Sequence, residues 1–291
     1  MFIATLIAES VRAGDLSEAA DRLAAAGAAA DAPRWLEPGR AADLPFAGDP
    51  AAARAALEGV FAGADVVVQP EAGREKRLLV ADMDSTMITV ECIDELADYA
   101  GIKAQIAEVT ERAMRGELDF AEALDARVAL LRDLEESAIE RCLAERVRLS
   151  PGAETLVKTM RGRGALTILV SGGFTRFAGP VGERLGFERV IANRLVIADG
   201  KLAGTVEKPI VDSGTKERTL EGAVAERGLD FAQSLAVGDG ANDLPMIRRA
   251  GLGVAYRAKP VVAAAAGARL EHSDLSALLW AQGIATADWV R

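Results

Sequence analysis

Short apolar runs and stretches with helical spacing alternate along the chain, and together they predict a series of strands and helices. In the first quarter, Asp49 followed by Pro50 is a typical helix start, and Leu16 and Leu23 mark the inner side of an earlier helix. The predicted elements are a strand at 2–8, a helix at 16–26, two short strands within 35–46, a helix from 49 to 61 and a strand at 64–69. This order predicts a small α+β module over residues 1–70, and the polar residues 70–76 predict a linker.

Beyond the linker, the same patterns predict a second and larger unit. Strands are expected at 78–81, 165–170, 189–192, 234–237 and 252–255, with a hairpin that turns at Asp199-Gly200. Helical patterns lie between them, at 152–161, 175–185, 216–227 and 243–249. This alternation predicts an α/β fold with a doubly wound parallel sheet and helices on both faces, over residues 77–88 and 150–291. Residues 89–149 contain no predicted strand and interrupt the pattern with helices at 91–99, 103–115, 119–132 and 134–145.

Composition and charge narrow the function classes. Half of the 291 residues are apolar, and the formal net charge is −10, which argues against nucleic-acid or anionic-membrane binding as the main task. Two cysteines are too few for a disulfide framework. No apolar run approaches the length of about 18 residues that a membrane span needs, and the N-terminus lacks a basic leader. We therefore expect a soluble cytoplasmic protein without nucleic-acid or membrane partners, and leave a homodimer open.

The strongest chemical signal is a pair of acids directly after an apolar run. Asp82 and Asp84 follow residues 78–81, at the carboxyl end of a predicted strand, where the ligands of α/β sheets collect. Two carboxylates this close repel each other unless a cation or a proton lies between them. The pattern predicts a divalent-metal site in which one carboxylate is also free to react.

Three further segments add what such a site needs. Ser171-Gly172-Gly173 follows another predicted strand and offers a hydroxyl and approachable backbone N–H groups. Lys216 opens a helical pattern, and a third strand end carries Asp239, Asn242 and Asp243. Each of these segments alone is common in proteins. Their order along the chain is what indicates a functional site.

That order resembles the four motifs of the haloacid dehalogenase (HAD) superfamily of phosphohydrolases. From Leu78 to about Leu279, the chain more closely resembles the phosphoserine phosphatase family of that superfamily. The similarity extends beyond the motifs to Glu91-Cys-Ile-Asp-Glu-Leu-Ala, Ala113-Met-Arg-Gly-Glu-Leu-Asp-Phe120, Arg127-Val-Ala-Leu-Leu-Arg-Asp-Leu134 and Ala192-Asn-Arg-Leu195.

The resemblance implies a role for each motif residue. Asp82 would be the nucleophile that forms an aspartyl-phosphate, and Asp84 would carry the proton. Mg²⁺ would be held by Asp82, the Asp84 carbonyl and Asp239, while Asp243 would bind it through water or orient Lys216. The phosphoryl group would be bound by Ser171, Gly172, Lys216 and Asn242.

Residues 89–149 would form a helical-bundle cap that recognises the leaving group. Glu91 would meet an ammonium, Arg127 would hold a carboxylate, and Met114 and Phe120 would close the pocket against water. The implied activity is hydrolysis of O-phospho-L-serine to L-serine and phosphate, the last step of serine biosynthesis. Three alternatives stay open: another small phosphomonoester such as phosphohomoserine or a sugar phosphate, phosphoryl transfer to an acceptor other than water, and an amino-acid-binding regulatory protein with an inactive core.

The predicted order of elements in residues 1–70 also resembles the ferredoxin-like fold of ACT modules, which bind regulatory amino acids. Because every motif lies after Leu78, we expect this module to be dispensable for the chemistry.

Overall fold

Three β-sheets organise the computed structural model, which describes residues 1–290 and, for Met114, the backbone alone. The first sheet is antiparallel and lies in the N-terminal quarter. Its elements are β1 (Phe2–Ala8), α1 (Ala13–Ala25), β2 (Ala29–Ala30), β3 (Arg34–Glu37), β4 (Ala41–Ala47), α2 (Pro50–Leu57) and β5 (Ala64–Pro70). The strand order is β2-β4-β1-β5, with β3 also paired to β4.

Local sequence explains most of these elements. Asp49 caps α2 by accepting the N–H of Ala51, and Pro50 occupies the first turn. The helix ends at Leu57, earlier than the predicted residue 61, and Gly59 follows with a φ of 75°. The two-residue strand β2 was not predicted. One face of the sheet packs on α1 and α2 through a buried cluster that includes Leu16, Leu23, Leu44, Phe46 and Leu57.

The large sheet is parallel, with six strands in the order β13-β12-β11-β6-β7-β8. The remaining strands are β6 (Leu78–Ala81), β7 (Leu166–Phe174), β8 (Arg189–Asn193), β9 (Leu195–Ala198), β10 (Lys201–Val206), β11 (Ser234–Gly238), β12 (Leu252–Tyr256) and β13 (Ala268–Leu270). From β6 the chain first builds β7 and β8 on one side, then returns to place β11 on the other. The strand order therefore reverses at β6, which is where open α/β sheets bind their ligands.

Ten helices of the described chain follow β5. They are α3 (Cys92–Tyr99), α4 (Lys103–Met114), α5 (Phe120–Leu130), α6 (Ser137–Glu145), α7 (Ala153–Gly162), α8 (Thr175–Leu185), α9 (Ser213–Glu226), α10 (Leu244–Arg249), α11 (Pro260–Ala265) and α12 (Ala277–Ala281). Helices α3 to α6 follow one another after β6, as the sequence predicted, whereas β13, α11 and α12 were not predicted. No helix within residues 1–290 is both long and apolar enough to cross a membrane.

The hairpin of β9 and β10 is hydrogen-bonded to the inserted helical region. It turns at Asp199-Gly200, where both residues have positive φ, as the sequence predicted. The N–H of Asp133 donates to the carbonyl of Leu202 (2.9 Å), and the N–H of Leu202 donates to the carbonyl of Leu134 (2.9 Å). The segment that follows α5 is thereby fixed to β10.

The N-terminal sheet lies against the C-terminal part of the chain. The buried carboxylate of Asp65 accepts the backbone N–H groups of Glu271, His272 and Ser273 at 2.7 to 3.2 Å. In the segment predicted as a linker, the Arg74 guanidinium pairs with Asp43 (2.6 Å) and also donates to the carbonyl of Ala281 (3.1 Å). This segment is therefore hydrogen-bonded on both sides.

Candidate active site

The acid pair lies in a tight turn at the carboxyl end of β6. The strand ends at Ala81, and Ser85 takes a left-handed conformation with a φ of 54°. The turn is closed by the N–H of Ser85, which donates to the carbonyl of Val90 (3.2 Å). Because the chain turns after Asp82, the two acids do not share the regular spacing of a strand. Both nevertheless line the same cavity of about 540 Å³.

Lys216 lies between two carboxylates beneath this cavity. Its Nζ is 2.5 Å from Asp82 Oδ1 and 2.7 Å from Asp243 Oδ1, and all three side chains are almost fully buried. Helix α9 places the lysine in its first turn, after the Asp212 side chain accepts the Thr215 N–H (2.7 Å). Burial alone would lower the pKa of Lys216, but the two carboxylates outweigh it and raise that pKa. The ammonium is therefore a fixed positive charge beside Asp82.

Three acids converge where a divalent cation would fit. Carboxylate oxygens of Asp82, Asp239 and Asp243 lie within 4.8 Å of one another. Burial, followed by the charge of Asp243, raises the pKa of Asp239 to about 6. Burial and the same neighbour raise the pKa of Asp82, against the effect of Lys216. Three neighbouring carboxyl groups with the single ammonium of Lys216 favour the binding of a cation. Carboxylate oxygens are ligands that suit Mg²⁺.

Asp84 makes its hydrogen bonds outside this acid group. Its Oδ1 accepts the backbone N–H of Cys92 (3.0 Å), and its Oδ2 lies 3.4 Å from Ser171 Oγ. Burial, followed by the charge of Glu91, raises the pKa of Asp84 to about 6, a range in which a carboxyl group can both give and take a proton.

The Ser-Gly-Gly segment comes close to Asp84 because its two glycines lack side chains. Strand β7 continues through Phe174, beyond the predicted residue 170. A Cβ added to Gly173 would lie 2.7 Å from Asp84 Oδ2, so this approach requires glycine. Ser171 is buried behind the cavity wall and accepts the Gly173 N–H (2.8 Å), while Gly172 lines the cavity.

The inserted helices supply the opposite wall. Glu91 Oε1 accepts the hydroxyl of Ser85 (2.6 Å), and Phe120 lies over Gly172. Arg127 also lines the cavity, and burial lowers the pKa of its guanidinium, against the charges of Asp94 and Glu91. Of the residues singled out in the sequence, those that line the cavity are Asp82, Asp84, Glu91, Phe120, Arg127, Gly172, Asp239 and Asn242. The side chain of Met114 lies outside the described residues.

One buried polar residue was missed by the sequence analysis. The Asn193 amide donates to the carbonyl of Gly172 (2.8 Å) and accepts the N–H of Val211 (2.7 Å). It therefore ties the Ser-Gly-Gly segment to the chain that leads into α9 and Lys216. Its place at the end of β8, within a stretch that resembles the phosphoserine phosphatase family, was the available signal.

Comparisons with known proteins identify the family to which the chain belongs. The family model for haloacid dehalogenase-like hydrolases matches residues 79–248. The chain is 46% identical to a phosphoserine phosphatase of Streptomyces coelicolor, over 79% of this chain and 56% of the relative. It is also 46% identical to a phosphoserine phosphatase of Streptococcus thermophilus, over 69% of this chain and 93% of the relative. A crystal structure of a HAD family hydrolase from Salmonella enterica serovar Typhi superposes with a TM-score of 0.85 at 27% identity, covering 96% of this chain and 98% of that one.

The chain belongs to the family of haloacid dehalogenase-like hydrolases. Its similar relatives within that family are phosphoserine phosphatases. The matched region spans between 52% and 63% of the length of the first three of these relatives.

Proposed function

We propose that this protein is a Mg²⁺-dependent phosphoserine phosphatase, a phosphoric monoester hydrolase that converts O-phospho-L-serine to L-serine and phosphate in the cytoplasm. The observation that carries the proposal is the buried Asp82–Lys216–Asp243 group, of which Asp82 lines the floor of the cavity, with Glu91 and Arg127 on the opposite wall. The floor suits a phosphoryl group, and the wall suits the ammonium and carboxylate of an amino acid.

The first half-reaction transfers the phosphoryl group to the protein. A carboxylate oxygen of Asp82 attacks phosphorus, the bond between phosphorus and the serine oxygen breaks, and Asp84 gives its proton to that oxygen. In the second half-reaction Asp84 takes a proton from water, whose oxygen attacks phosphorus and releases phosphate and the Asp82 carboxylate. Lys216 compensates negative charge near Asp82 throughout.

The metal would be held by Asp82, the Asp84 carbonyl and Asp239, with Asp243 either bound through water or kept on Lys216. When bound, Mg²⁺ supplies charge neutralisation on the phosphoryl oxygens. The short contact between Asp243 and Lys216 supports the orienting role (2.7 Å).

Substrate choice is assigned to the inserted helices, proposed as a cap over residues 89–149. Arg127 would hold the substrate carboxylate, Glu91 would meet the ammonium, and Phe120 and Met114 would shield both from water. The remaining binding contacts, from Ser171, Gly172 and Asn242, would fall on the phosphoryl group.

The N-terminal residues 1–70 are proposed as an ACT-like module beside a phosphatase core of 77–88 and 150–291. The strand order of the N-terminal sheet supports this, because β1 lies between β4 and β5 and pairs antiparallel with both, as in ferredoxin-like folds.

The test is phosphate release from a panel of phosphomonoesters. We expect the highest kcat/KM with phosphoserine, lower values with phosphohomoserine, phosphoethanolamine and a sugar phosphate, and no turnover in excess chelator. Mg²⁺ should restore activity and Ca²⁺ should not, because its larger and more flexible coordination disturbs in-line geometry. Full activity in chelator would contradict the metal assignment, and a sugar phosphate as the best substrate would contradict the proposed specificity.

A further inference from the structure

One cation of the cavity wall was not singled out in the sequence. The described residues that line the cavity include five acids and two bases, and the bases are Arg127 and Lys259. Arg127 lies on the wall of the inserted helices, while Lys259 lies beyond the end of β12, on the side of the parallel sheet. The proposed function uses Arg127 and does not use Lys259.

The turn that carries Lys259 is held on both sides. Arg257, directly after β12, has a left-handed φ of 44°, and its N–H donates to the carbonyl of Leu270 (2.8 Å). The N–H of Lys259 donates to the carbonyl of Asp239 (3.3 Å), and Pro260 then begins α11. A residue other than glycine keeps a left-handed conformation only where its surroundings fix it. The turn therefore places Lys259 beside Asp239, at the edge of the acid group.

The ammonium of Lys259 is exposed and unpaired. Ion pairs in the described chain involve four other lysines and none involves Lys259, and its Nζ makes no hydrogen bond to a described residue. Lys216, by contrast, is shared by two buried carboxylates, so its positive charge is already compensated. Among the described residues on this side of the cavity, Lys259 therefore offers a positive charge that is free to act on a ligand.

A phosphomonoester needs such a charge to enter the cavity. Its phosphoryl group carries about −1.5 to −2 charges at neutral pH, and like charges repel over a Debye length of about 8 Å. Five acids line the walls that it must pass. The charge of Lys259 acts on these acids: burial and Asp243 raise the pKa of Asp239 to about 6, and Lys259 opposes that rise. Lys259 thus makes this part of the cavity less negative.

We propose that Lys259 is a phosphate-binding residue, which draws the phosphoryl group of the substrate into the cavity and contacts one of its oxygens beside Asp239. The role rests on the proposed function, since it concerns the phosphoryl end of a phosphomonoester. A lysine suits it, because an ammonium on a flexible stem acts as a point charge. The same ammonium repels a divalent cation in the acid group. Lys259 therefore strengthens phosphate binding and weakens the binding of Mg²⁺ to the phosphate-free protein.

Three substitutions test the charge at this position. Lys259→Gln removes the charge with little change in length, Lys259→Arg keeps it, and Lys259→Glu reverses it. All three keep the backbone N–H that donates to Asp239. The control is Lys158→Gln, which breaks an exposed pair with Glu154 on α7 and changes the net charge by the same amount outside the cavity.

The first readout is binding without turnover. Inorganic phosphate is titrated calorimetrically into the Mg²⁺-loaded protein, and Mg²⁺ into the metal-free protein. For Lys259→Gln we expect the Kd of phosphate to rise by about tenfold, because a charged contact is lost, and the Kd of Mg²⁺ to fall by about twofold or more. Lys259→Glu should enlarge both changes. Lys259→Arg and Lys158→Gln should stay within about twofold of the wild type for both ions.

The second readout is the split between KM and kcat. A contact that is made equally to the bound substrate and to the transition state raises KM when it is lost and leaves kcat unchanged. Lys259→Gln should raise KM for phosphoserine and for phosphoethanolamine by the same factor, because both carry the phosphoryl group. Loss of the carboxylate contact at Arg127 would instead separate the two substrates.

Opposite shifts of the two ions distinguish a charge effect from a structural one. Displacement of the turn that holds Asp239 would weaken the binding of Mg²⁺ and phosphate together. Weaker binding of both ions in Lys259→Gln, or an unchanged Kd of phosphate, would overturn the inference. If the wild-type protein binds phosphate through Lys259 but does not cleave phosphoserine, the proposed substrate is wrong while the role of Lys259 stands.

Discussion

At the scale of single residues, the site depends on one buried lysine shared by two buried acids. Asp82→Asn keeps the shape of the side chain and leaves Asp243 to pair with Lys216. A carboxamide is not a competent nucleophile, so we expect kcat to fall by more than about a hundredfold, measured as phosphate release. The thermal unfolding midpoint should change little, which separates lost chemistry from lost folding.

The matched control for this substitution is Asp125→Asn. Asp125 forms an exposed ion pair with Lys208 (2.8 Å) at the protein surface. Exposed pairs contribute about 0–1 kcal/mol, so this variant should keep the wild-type kcat. Retention of more than about a hundredth of the activity by Asp82→Asn would contradict the covalent route, since losing a nucleophile costs far more.

Arg127 tests the assignment of the substrate carboxylate. Arg127→Ala should raise KM for phosphoserine by about tenfold or more, because a charge-assisted, bidentate contact is lost. Phosphoethanolamine has no carboxylate, so its KM should change little. Arg141→Ala is the control, since Arg141 is an exposed arginine on α6. Equal losses on the two substrates would remove Arg127 from the carboxylate site.

At this scale, the sequence predicts those site residues whose neighbours along the chain already indicate their position. Asp82, Asp84, Lys216 and Asp239 stand at strand ends or a helix start, and each is visible in its own short segment. Asn193 and Cys92 are hydrogen-bonded to Gly172 and Asp84, which are not adjacent to them in the sequence and become neighbours only after folding. Neither residue type indicates such a contact in the sequence.

At the scale of elements, the β9–β10 hairpin supports the helix that carries Phe120 and Arg127. Gly204 in β10 has a φ of 73°, and a Cβ there would lie 2.9 Å from the Cβ of Arg132. Gly204→Ala should therefore lower the free energy of unfolding by about 1–3 kcal/mol, through backbone strain and overpacking. It should also raise KM for phosphoserine, because the end of α5 is displaced. Denaturant unfolding and steady-state kinetics measure the two effects.

Gly222→Ala is the paired control. Gly222 lies within α9, and an added Cβ would meet no atom within 4 Å. Alanine in a helix interior is more stable than glycine by about 0.5–1 kcal/mol, so this variant should gain stability and keep its KM. An unchanged KM in Gly204→Ala together with reduced stability would show that the hairpin supports folding but not the substrate pocket.

Elements marked by a clear apolar run or helical spacing were predictable, and elements without such a pattern were not. The strands β6, β11 and β12 and the helices α3 to α6 agree with their predicted ranges to within a few residues. Strand β13 has three residues, and α11 and α12 lie in an alanine-rich segment without a distinct period. Their formation depends on neighbours: β13 exists because β12 pairs with it, and α12 because its residues are buried on all sides.

At the scale of the whole molecule, the N-terminal sheet and the parallel-sheet region share buried surface. Ile7, Ala41 and Val67 belong to the same apolar cluster as Trp280. The sheet thus has two covered faces, one on α1 and α2 and one on the C-terminal part of the chain. The sequence of the polar segment 70–76 did not predict this shared surface, because its composition is that of a linker. In the structure, its arginine and lysine side chains are hydrogen-bonded to groups in the interior.

Arg74 contributes to this contact through a buried charge. It forms a two-pronged ion pair with the 4%-exposed carboxylate of Asp43 and donates to the carbonyls of Trp280 and Ala281. Arg74→Ala leaves a buried carboxylate without its partner, so we expect unfolding to become easier by about 3–5 kcal/mol. Since none of these groups reaches the cavity, kcat of the folded protein should remain unchanged.

Two further variants test whether the effect of Arg74→Ala comes from its buried ion pair with Asp43. Arg34→Ala breaks an exposed pair with Glu71 in the same region and should cost at most about 1 kcal/mol. Asp43→Asn combined with Arg74→Ala should recover part of the loss, because the stranded charge is removed. If the free energy of unfolding barely moves in Arg74→Ala, the N-terminal sheet is held by its apolar contacts instead. If kcat falls as well, the sheet contributes to the chemistry, and the expectation that residues 1–70 are dispensable for it is wrong.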